Sequence, residues 1–196
     1  MKILFALFSY LFGSIPTGYL LFLKIKKKDI RKFGSQSIGA TNLLRLTDKK
    51  TALLAAVFDV LKGFIPVFLS IRLFDDLTFS LLCGFLAVFG HCFPVYIKFK
   101  GGKGVATTVG VYLALSLPSL LVLVVVFVTV IAITKYVSLG SFLSLMTLPV
   151  TALIFRYEIE LVYFGLLVFI LIAFQHRENI MRLLRGKERK LGEKET

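Results

Sequence analysis

The sequence predicts an all-α, polytopic integral membrane protein with seven transmembrane helices, its N-terminus outside and its C-terminus cytoplasmic. Three observations predict it. Apolar residues make up 57% of the 196 residues, with 20 Phe and no Trp, which is more apolar surface than a soluble core of this size requires. The charged residues cluster between the apolar runs, as they do when lipid excludes them. When seven spans are threaded, the basic residues fall almost entirely on one side.

The spans are read in order. Clear apolar runs cover residues 3–23, 51–73, 77–97, 137–155 and 161–174, each near the roughly 20 residues a bilayer requires, the last somewhat short. The first run has no small-residue cleavage site and leads straight into a basic loop, so it is read as a mature helix and not a signal peptide. Residues 105–134 are about 45 Å of helix, too long for one span and short for two. Ser116-Leu117-Pro118 lies near the middle, and Pro disfavours helix at the residue before it, so a turn is expected there. With seven spans, 20 of the 24 Lys and Arg lie inside, Lys62 lies within a span, and only Lys2, Arg72 and Arg156 lie outside. With six, the basic tail would fall outside, against the positive-inside rule. The chain reads as one domain over residues 1–196, and residues 186–196 as a polar cytoplasmic tail extending a frayed helix. Cys83 and Cys92 are about 13 Å apart on one helix, too far for a disulfide, and are read as buried apolar side chains.

The net charge of +13 flanks apolar runs, which points to lipid headgroups and phosphorylated substrates and not to nucleic acid. Three polar clusters fall on the same predicted side. The first is Gly34-Ser35-Gln36-Ser37-Ile38-Gly39-Ala40-Thr41-Asn42-Leu43-Leu44-Arg45. Small residues permit close backbone approach and an anion nest, Ser35, Thr41 and Asn42 supply hydrogen bonds, and Arg45 offers a bidentate phosphate contact. The plainer reading is a polar loop with Thr41 or Asn42 capping a short helix. The second cluster is Lys98-Phe99-Lys100-Gly101-Gly102-Lys103-Gly104, opening a span. Glycines and a lysine at a helix N-terminus combine amide donors, dipole and full charge, as phosphate binding requires. The spacing is not that of a Walker A loop. The third is Gln175-His176-Arg177-Glu178-Asn179-Ile180. His176 and Asn179 are i and i+3 and so share a helix face, with His suited to carrying a proton near neutral pH. Within the membrane, Asp59 and Lys62 are spaced to pair, and His91 sits just before the glycine loop. All three are read as structural or supporting groups.

These motifs, in this order, resemble the bacterial acyl-phosphate:glycerol-3-phosphate acyltransferases of the PlsY type. The resemblance spans nearly the whole chain. It is carried by Gly13-Ser14-Ile15-Pro16-Thr17-Gly18, the 34–45 loop, Asp59-Val60-Leu61-Lys62-Gly63, Gly90-His91-Cys92-Phe93-Pro94, the 100–107 segment and His176-Arg177-Glu178-Asn179-Ile180. One departure is visible: Gln36-Ser37 stands where the family usually has Gly-Asn. The resemblance implies a seven-span enzyme of the bacterial inner membrane with its site on the cytoplasmic side. It would transfer an acyl group from acyl phosphate to the 1-hydroxyl of glycerol 3-phosphate, giving 1-acylglycerol 3-phosphate and phosphate, the first step of phospholipid synthesis. It implies Ser35 and Arg45 as essential, the 101–107 segment as the glycerol-phosphate site, and His176 and Asn179 as active-site residues. Glu178 is carried with them as a supporting residue. Besides the substrates and membrane lipids, functional contact with the enzyme that makes acyl phosphate is an expected partnership.

The chemistry is coherent by itself. Acyl phosphate is already activated, so a site needs to hold two phosphates, orient a hydroxyl and accept a proton. No cofactor is expected, and no metal-ligand spacing is present in the sequence. A transporter of organic phosphates would predict internal repeats or several charges near mid-membrane. Only Asp59 and Lys62 lie deep in a span, and no repeat is evident.

Overall fold

In the computed structural model, residues 1–193 are described, and they form ten α-helices with no strand. Lys194, counted above in the basic tail, lies outside the described residues, as do Glu195 and Thr196.

The first apolar run is two helices, α1 (Lys2–Gly13) and α2 (Thr17–Lys26). The expected single helix is interrupted at Ser14-Ile15-Pro16 because Pro16 has no N–H to continue the ladder and disfavours helix at Ile15. A short 3-10 turn (Ile30–Lys32) and helix α3 (Ala40–Leu46) lie in the loop that follows. Helix α4 (Lys49–Phe74) begins at Asp48, whose carboxylate accepts from the Thr51 N–H. Helix α5 (Leu77–Cys92) begins in the same way at Asp76, which accepts from Phe79. A second 3-10 turn (Val95–Ile97) leads to the glycine loop and α6 (Val105–Leu115). The turn expected around Pro118 is present: α6 stops at Leu115, and Ser116 caps α7 (Leu117–Thr134) by accepting from the Ser119 N–H. Helices α8 (Val137–Ile154) and α9 (Ile159–Gln175) follow, then α10 (Arg177–Leu184), bent 65° from α9.

Five segments are long and apolar enough to cross a bilayer: Lys2–Lys26, Lys49–Phe74, Leu77–Ile97, Leu117–Thr134 and Val137–Ile154. The bent pair of α9 and α10 makes six if counted as one span. Helix α6 is apolar but has 11 residues, about 16 Å of rise, less than the hydrocarbon thickness. Large side chains such as Leu121, Val125, Val128 and Ile133 on α7 are exposed, the reverse of a soluble helix and the pattern of a lipid-facing one.

The chain divides into two compact units, Met1–Val111 and Tyr112–Glu193. In the first, α1 and α4 pack against α5, and α2 and α3 against α4. Small residues set these distances. A side chain at Gly63 would strike the Thr107 carbonyl of α6, and one at Gly110 would strike the Val60 carbonyl of α4, so both glycines permit backbone contact between the two helices. In the second unit α8 packs between α7 and α9, and α10 touches α8 and α9. Four polar residues on α8 are satisfied within their own helix: Ser141, Ser144, Thr147 and Thr151 donate to carbonyls three or four residues back. No disulfide joins Cys83 and Cys92, and both are buried.

Candidate active site

The 29–46 loop is held from within. Ile30, Ile38 and Leu43 are buried with Phe22, Ala52, Ala55 and Ile97, so the polar segment is pinned by an apolar underside. Asn42 fixes its shape. Its Oδ1 accepts from the Ser35 N–H at 2.9 Å, and its Nδ2 donates to the carbonyls of Phe33 at 3.2 Å and Ser37 at 2.8 Å. Asn42 was expected to bind substrate or to cap a helix. The cap of α3 is Gly39, and the buried Asn42 amide is turned to the loop, where it positions Ser35. Ser35, Thr41 and Arg45 are half-buried on the same loop and helix.

Gln36, where the resemblance leads one to expect glycine, lies in the left-handed region at φ 60°, two residues after Gly34 at φ 58°. That conformation costs a side-chain-bearing residue about 1–2 kcal/mol, of which glycine's extra unfolded-state entropy offsets part. Gln36→Gly is expected to stabilise the protein by about 1 kcal/mol, read as a raised midpoint in detergent thermal unfolding.

A residue that sequence reasoning did not single out ties this loop to the next. Arg31 is held by Asp29 through an Nη2–Oδ2 contact of 2.7 Å, and its Nη1 donates to the Ile97 carbonyl at 2.9 Å. The Arg31 hydrogen bond holds the Asp29 carboxyl below its ordinary range. An Asp-x-Arg spacing inside a basic run was the available signal.

The glycine loop was expected to turn its amides, with Lys103, toward a phosphate, and two of those amides are turned elsewhere. The N–H groups of Gly101 and Gly102 donate to the carbonyls of Cys92 and His91 at 3.2 and 3.0 Å, so they are spent on the end of α5 and do not point to a phosphate. Their lack of side chains has another reason. A Cβ at Gly101 would strike the His91 and Cys92 carbonyls and Pro94, and one at Gly102 would strike the His91 ring. The donors suited to an anion lie further on. Gly104 turns at φ 85°, and the first ladder bond of α6 runs from the Thr108 N–H to the Gly104 carbonyl. The amides of the turn before Thr108 therefore stand at the positive end of the helix, with Lys103 half-buried beside them. Lys100 is exposed.

Below the loop, Asp59 and Lys62 form the expected pair, with Nζ 2.8 Å from Oδ1 and both side chains 3% exposed. Lys62 also donates to the Ile15 carbonyl at 3.0 Å, at the break between α1 and α2. His91 is buried, with Nδ1 3.6 Å from Asp59 Oδ1.

In the second unit, His176 occupies the bend between α9 and α10 and is 3% exposed. Its Nδ1 lies 2.9 Å from the Ile172 carbonyl. A carbonyl only accepts, so Nδ1 carries the proton and the lone pair of the neutral ring resides on Nε2. Asn179, one turn on, donates through Nδ2 to Glu188 Oε1 at 2.7 Å. Glu188 also accepts from Ser138 at 2.9 Å and from Arg182 Nε at 3.0 Å. The expected frayed helix beyond Arg185 is thus corrected. Helix α10 ends at Leu184, and the chain turns back so that Glu188 is buried and the Leu191 N–H donates to the Lys135 carbonyl at 2.7 Å. A helix would carry Glu188 away from Asn179 and Ser138. Glu178, expected as the supporting acid, is 69% exposed and 3.8 Å from Arg182; the buried carboxylate of this cluster is Glu188. Its position in a basic, polar tail gave the sequence reading no signal.

Burial alone pushes the Glu188 carboxyl up, but hydrogen bonds from Asn179, Arg182 and Ser138, with the Arg182 charge, hold it below its ordinary value of 4.5. A folded value below the unfolded one contributes stability at neutral pH that is lost as pH falls through the folded value. Glu188→Gln should therefore lower the unfolding midpoint most at neutral pH, and the gap from wild type should narrow as pH drops below 4.5. A constant gap across that range would contradict the assignment.

Known proteins resemble this chain in sequence and fold. The family model described as glycerol-3-phosphate acyltransferase matches residues 3–186. A glycerol-3-phosphate acyltransferase of Endomicrobium trichonymphae is 39% identical over 97% of this chain and 96% of its own, and one of Thermoanaerobacter pseudethanolicus is 43% identical over 98% and 96%. Two crystal structures of PlsY, described as an integral membrane glycerol 3-phosphate acyltransferase, superpose closely. The glycerol 3-phosphate form has a TM-score of 0.93 at 36% identity, covering 97% of this chain and 96% of that one. The lysophosphatidic acid form has a TM-score of 0.90 at 35% identity, covering 97% and 95%. With sequence and fold matching end to end, the chain is an integral membrane protein and belongs to the glycerol-3-phosphate acyltransferase family.

Proposed function

We propose that this acyltransferase uses acyl phosphate as donor and the 1-hydroxyl of glycerol 3-phosphate as acceptor. The products are 1-acylglycerol 3-phosphate and inorganic phosphate. The observation that carries the reading is the position of Lys103 in the turn immediately before the amide end of α6, on a loop fixed to α5 by the Gly101 and Gly102 N–H groups. The PlsY relatives' glycerol 3-phosphate and lysophosphatidic acid forms support the acceptor and the product. In the step itself, the hydroxyl oxygen bonds to the acyl carbon, the acyl–phosphate C–O bond breaks, and phosphate leaves with the electron pair. The family resemblance makes His176 the acceptor of the hydroxyl proton, and the Nδ1 contact to Ile172 leaves the lone pair for that role on Nε2. Ser35 and Arg45 bind the acyl phosphate, Thr41 assists them, and Asn179 orients beside His176 from its anchor on Glu188. Attack is direct, with Ser35 positioning the donor: its N–H is anchored on Asn42 Oδ1, which fixes where the residue stands.

The protein works as a single domain of seven spans in the inner membrane, with α6 as the short one, its N-terminus outside and its site facing the cytoplasm. The side carrying 20 of the 24 basic residues supports that orientation. Glycerol 3-phosphate then arrives from the cytosol, while the acyl chain enters from the lipid, handed over by the enzyme that makes acyl phosphate.

The test compares donors. Purified protein should form 1-acylglycerol 3-phosphate from acyl phosphate and not from acyl-CoA or acyl carrier protein; product from acyl-CoA alone would reject the donor. Lys103→Ala is expected to raise KM for glycerol 3-phosphate about tenfold or more and to change kcat less, because a cation on a spectator phosphate acts in ground and transition states alike. A collapsed kcat at unchanged KM would place Lys103 on the leaving phosphate instead.

A further inference from the structure

We propose that His91 is a positioning residue for the acceptor's phosphate site, steered by the buried Asp59–Lys62 pair. This rests on the reading of Lys103 and the start of α6 as that site. Three contacts converge on His91. Its carbonyl accepts the Gly102 N–H at 3.0 Å. The Nε2 edge of its ring abuts Gly102 so closely that no side chain fits there. Its Nδ1 faces Asp59 Oδ1 at 3.6 Å, beyond ordinary hydrogen-bond length, so the link is a charge–dipole one. Nδ1 has no other polar partner among the described residues, while Oδ1 is held on its other side by Lys62 Nζ at 2.8 Å. Asp59 is itself fixed by Lys62, which is tied to the Ile15 carbonyl. The imidazole is thus a spacer between a locked carboxylate and the backbone that immediately precedes Lys103.

A buried ion pair with a buried imidazole is seldom a gain in stability over apolar side chains of equal volume. What it supplies here is direction. The carboxylate favours the neutral tautomer with the proton on Nδ1, sets the ring plane, and so sets how far Gly102 stands from α5. Lys103 and the first amides of α6 follow Gly102 in the chain, and a displacement of about 1 Å in such a site can cost on the order of a hundredfold in rate.

The experiment reads steady-state constants for both substrates, with thermal unfolding in detergent for each variant. His91→Phe keeps a ring without a donor, and His91→Gln places its amide nitrogen near the position of Nε2. Both are expected to raise KM for glycerol 3-phosphate tenfold or more while leaving KM for acyl phosphate within about twofold. His91→Asn places an N–H where Nδ1 stands and should recover most of the loss. The double variant Asp59→Asn/Lys62→Met removes both charges together, so none is left buried alone. It should resemble His91→Phe, and adding His91→Phe to it should bring no further rise. Should His91→Phe not fold, His91→Gln against His91→Asn carries the same comparison. An unchanged KM for glycerol 3-phosphate in folded His91→Phe or His91→Gln overturns the proposal, as does strict additivity with the Asp59/Lys62 variant. An unchanged KM in Lys103→Ala sinks instead the reading on which it rests.

Discussion

Gly101→Ala is expected to lower kcat/KM for glycerol 3-phosphate at least about a hundredfold while the helices remain folded. The added methyl group has nowhere to go. It meets the His91 and Cys92 carbonyls and Pro94, backbone and ring atoms that cannot swing aside as a side chain would. The loop must lift from α5, breaking the Gly101 and Gly102 N–H bonds to Cys92 and His91. Lys103 and the start of α6 move with it. Gly186→Ala is the matched control: nothing lies within 4 Å of its Cβ position, so only the local backbone cost of its φ of 64° applies. Activity of Gly101→Ala near that of Gly186→Ala would show that the seat against α5 does not set the site.

His176→Ala is expected to reduce kcat by roughly 10²–10⁴, the range for loss of a positioned general base. The informative partner is His176→Asn. Its amide nitrogen can take the place of Nδ1 and still donate to the Ile172 carbonyl, the bond that anchors the ring at 2.9 Å. It has no nitrogen lone pair in the position of Nε2. If His176 accepts the proton, the Asn variant should be nearly as slow as the Ala variant though better folded. If His176 only holds the bend between α9 and α10, the Asn variant should keep a good fraction of the activity. Deprotonation by a substrate phosphate would then be the better account.

Much of this was legible in the sequence because lipid and phosphate impose coarse rules. Lipid excludes charge, so the runs around Lys49, Lys98 and Lys135 mark where spans end. Proline disfavours helix at the residue before it, so the break before Pro118 could be read directly. The same rule applied to Pro16 was missed, since the run around it is apolar on both sides and hydropathy alone shows one span. Proline alone was not decisive either: Pro66 and Pro149 lie inside α4 and α8, where neighbouring helices and local adjustments support the backbone. Long-range bonds were out of reach. Asn42 looked like a ligand because its residue type and spacing are the same whether its amide meets a phosphate or the loop's own carbonyls. Glu188 looked like tail because its partners Ser138, Asn179 and Arg182 are gathered only by the chain turning back. The glycine loop was read as a phosphate site from composition, but which amides are turned away from a ligand depends on where α5 ends.

The central claim is direct transfer from acyl phosphate to glycerol 3-phosphate at this site, and it is tested most directly by the stoichiometry of phosphate release. Purified protein is given acyl phosphate with and without glycerol 3-phosphate, and phosphate and 1-acylglycerol 3-phosphate are measured in the same samples. The account predicts one phosphate released per 1-acylglycerol 3-phosphate formed, with no burst and no sustained release when glycerol 3-phosphate is absent. A burst of phosphate stoichiometric with enzyme in its absence, abolished by Ser35→Ala, would contradict direct attack and establish an acyl-enzyme instead.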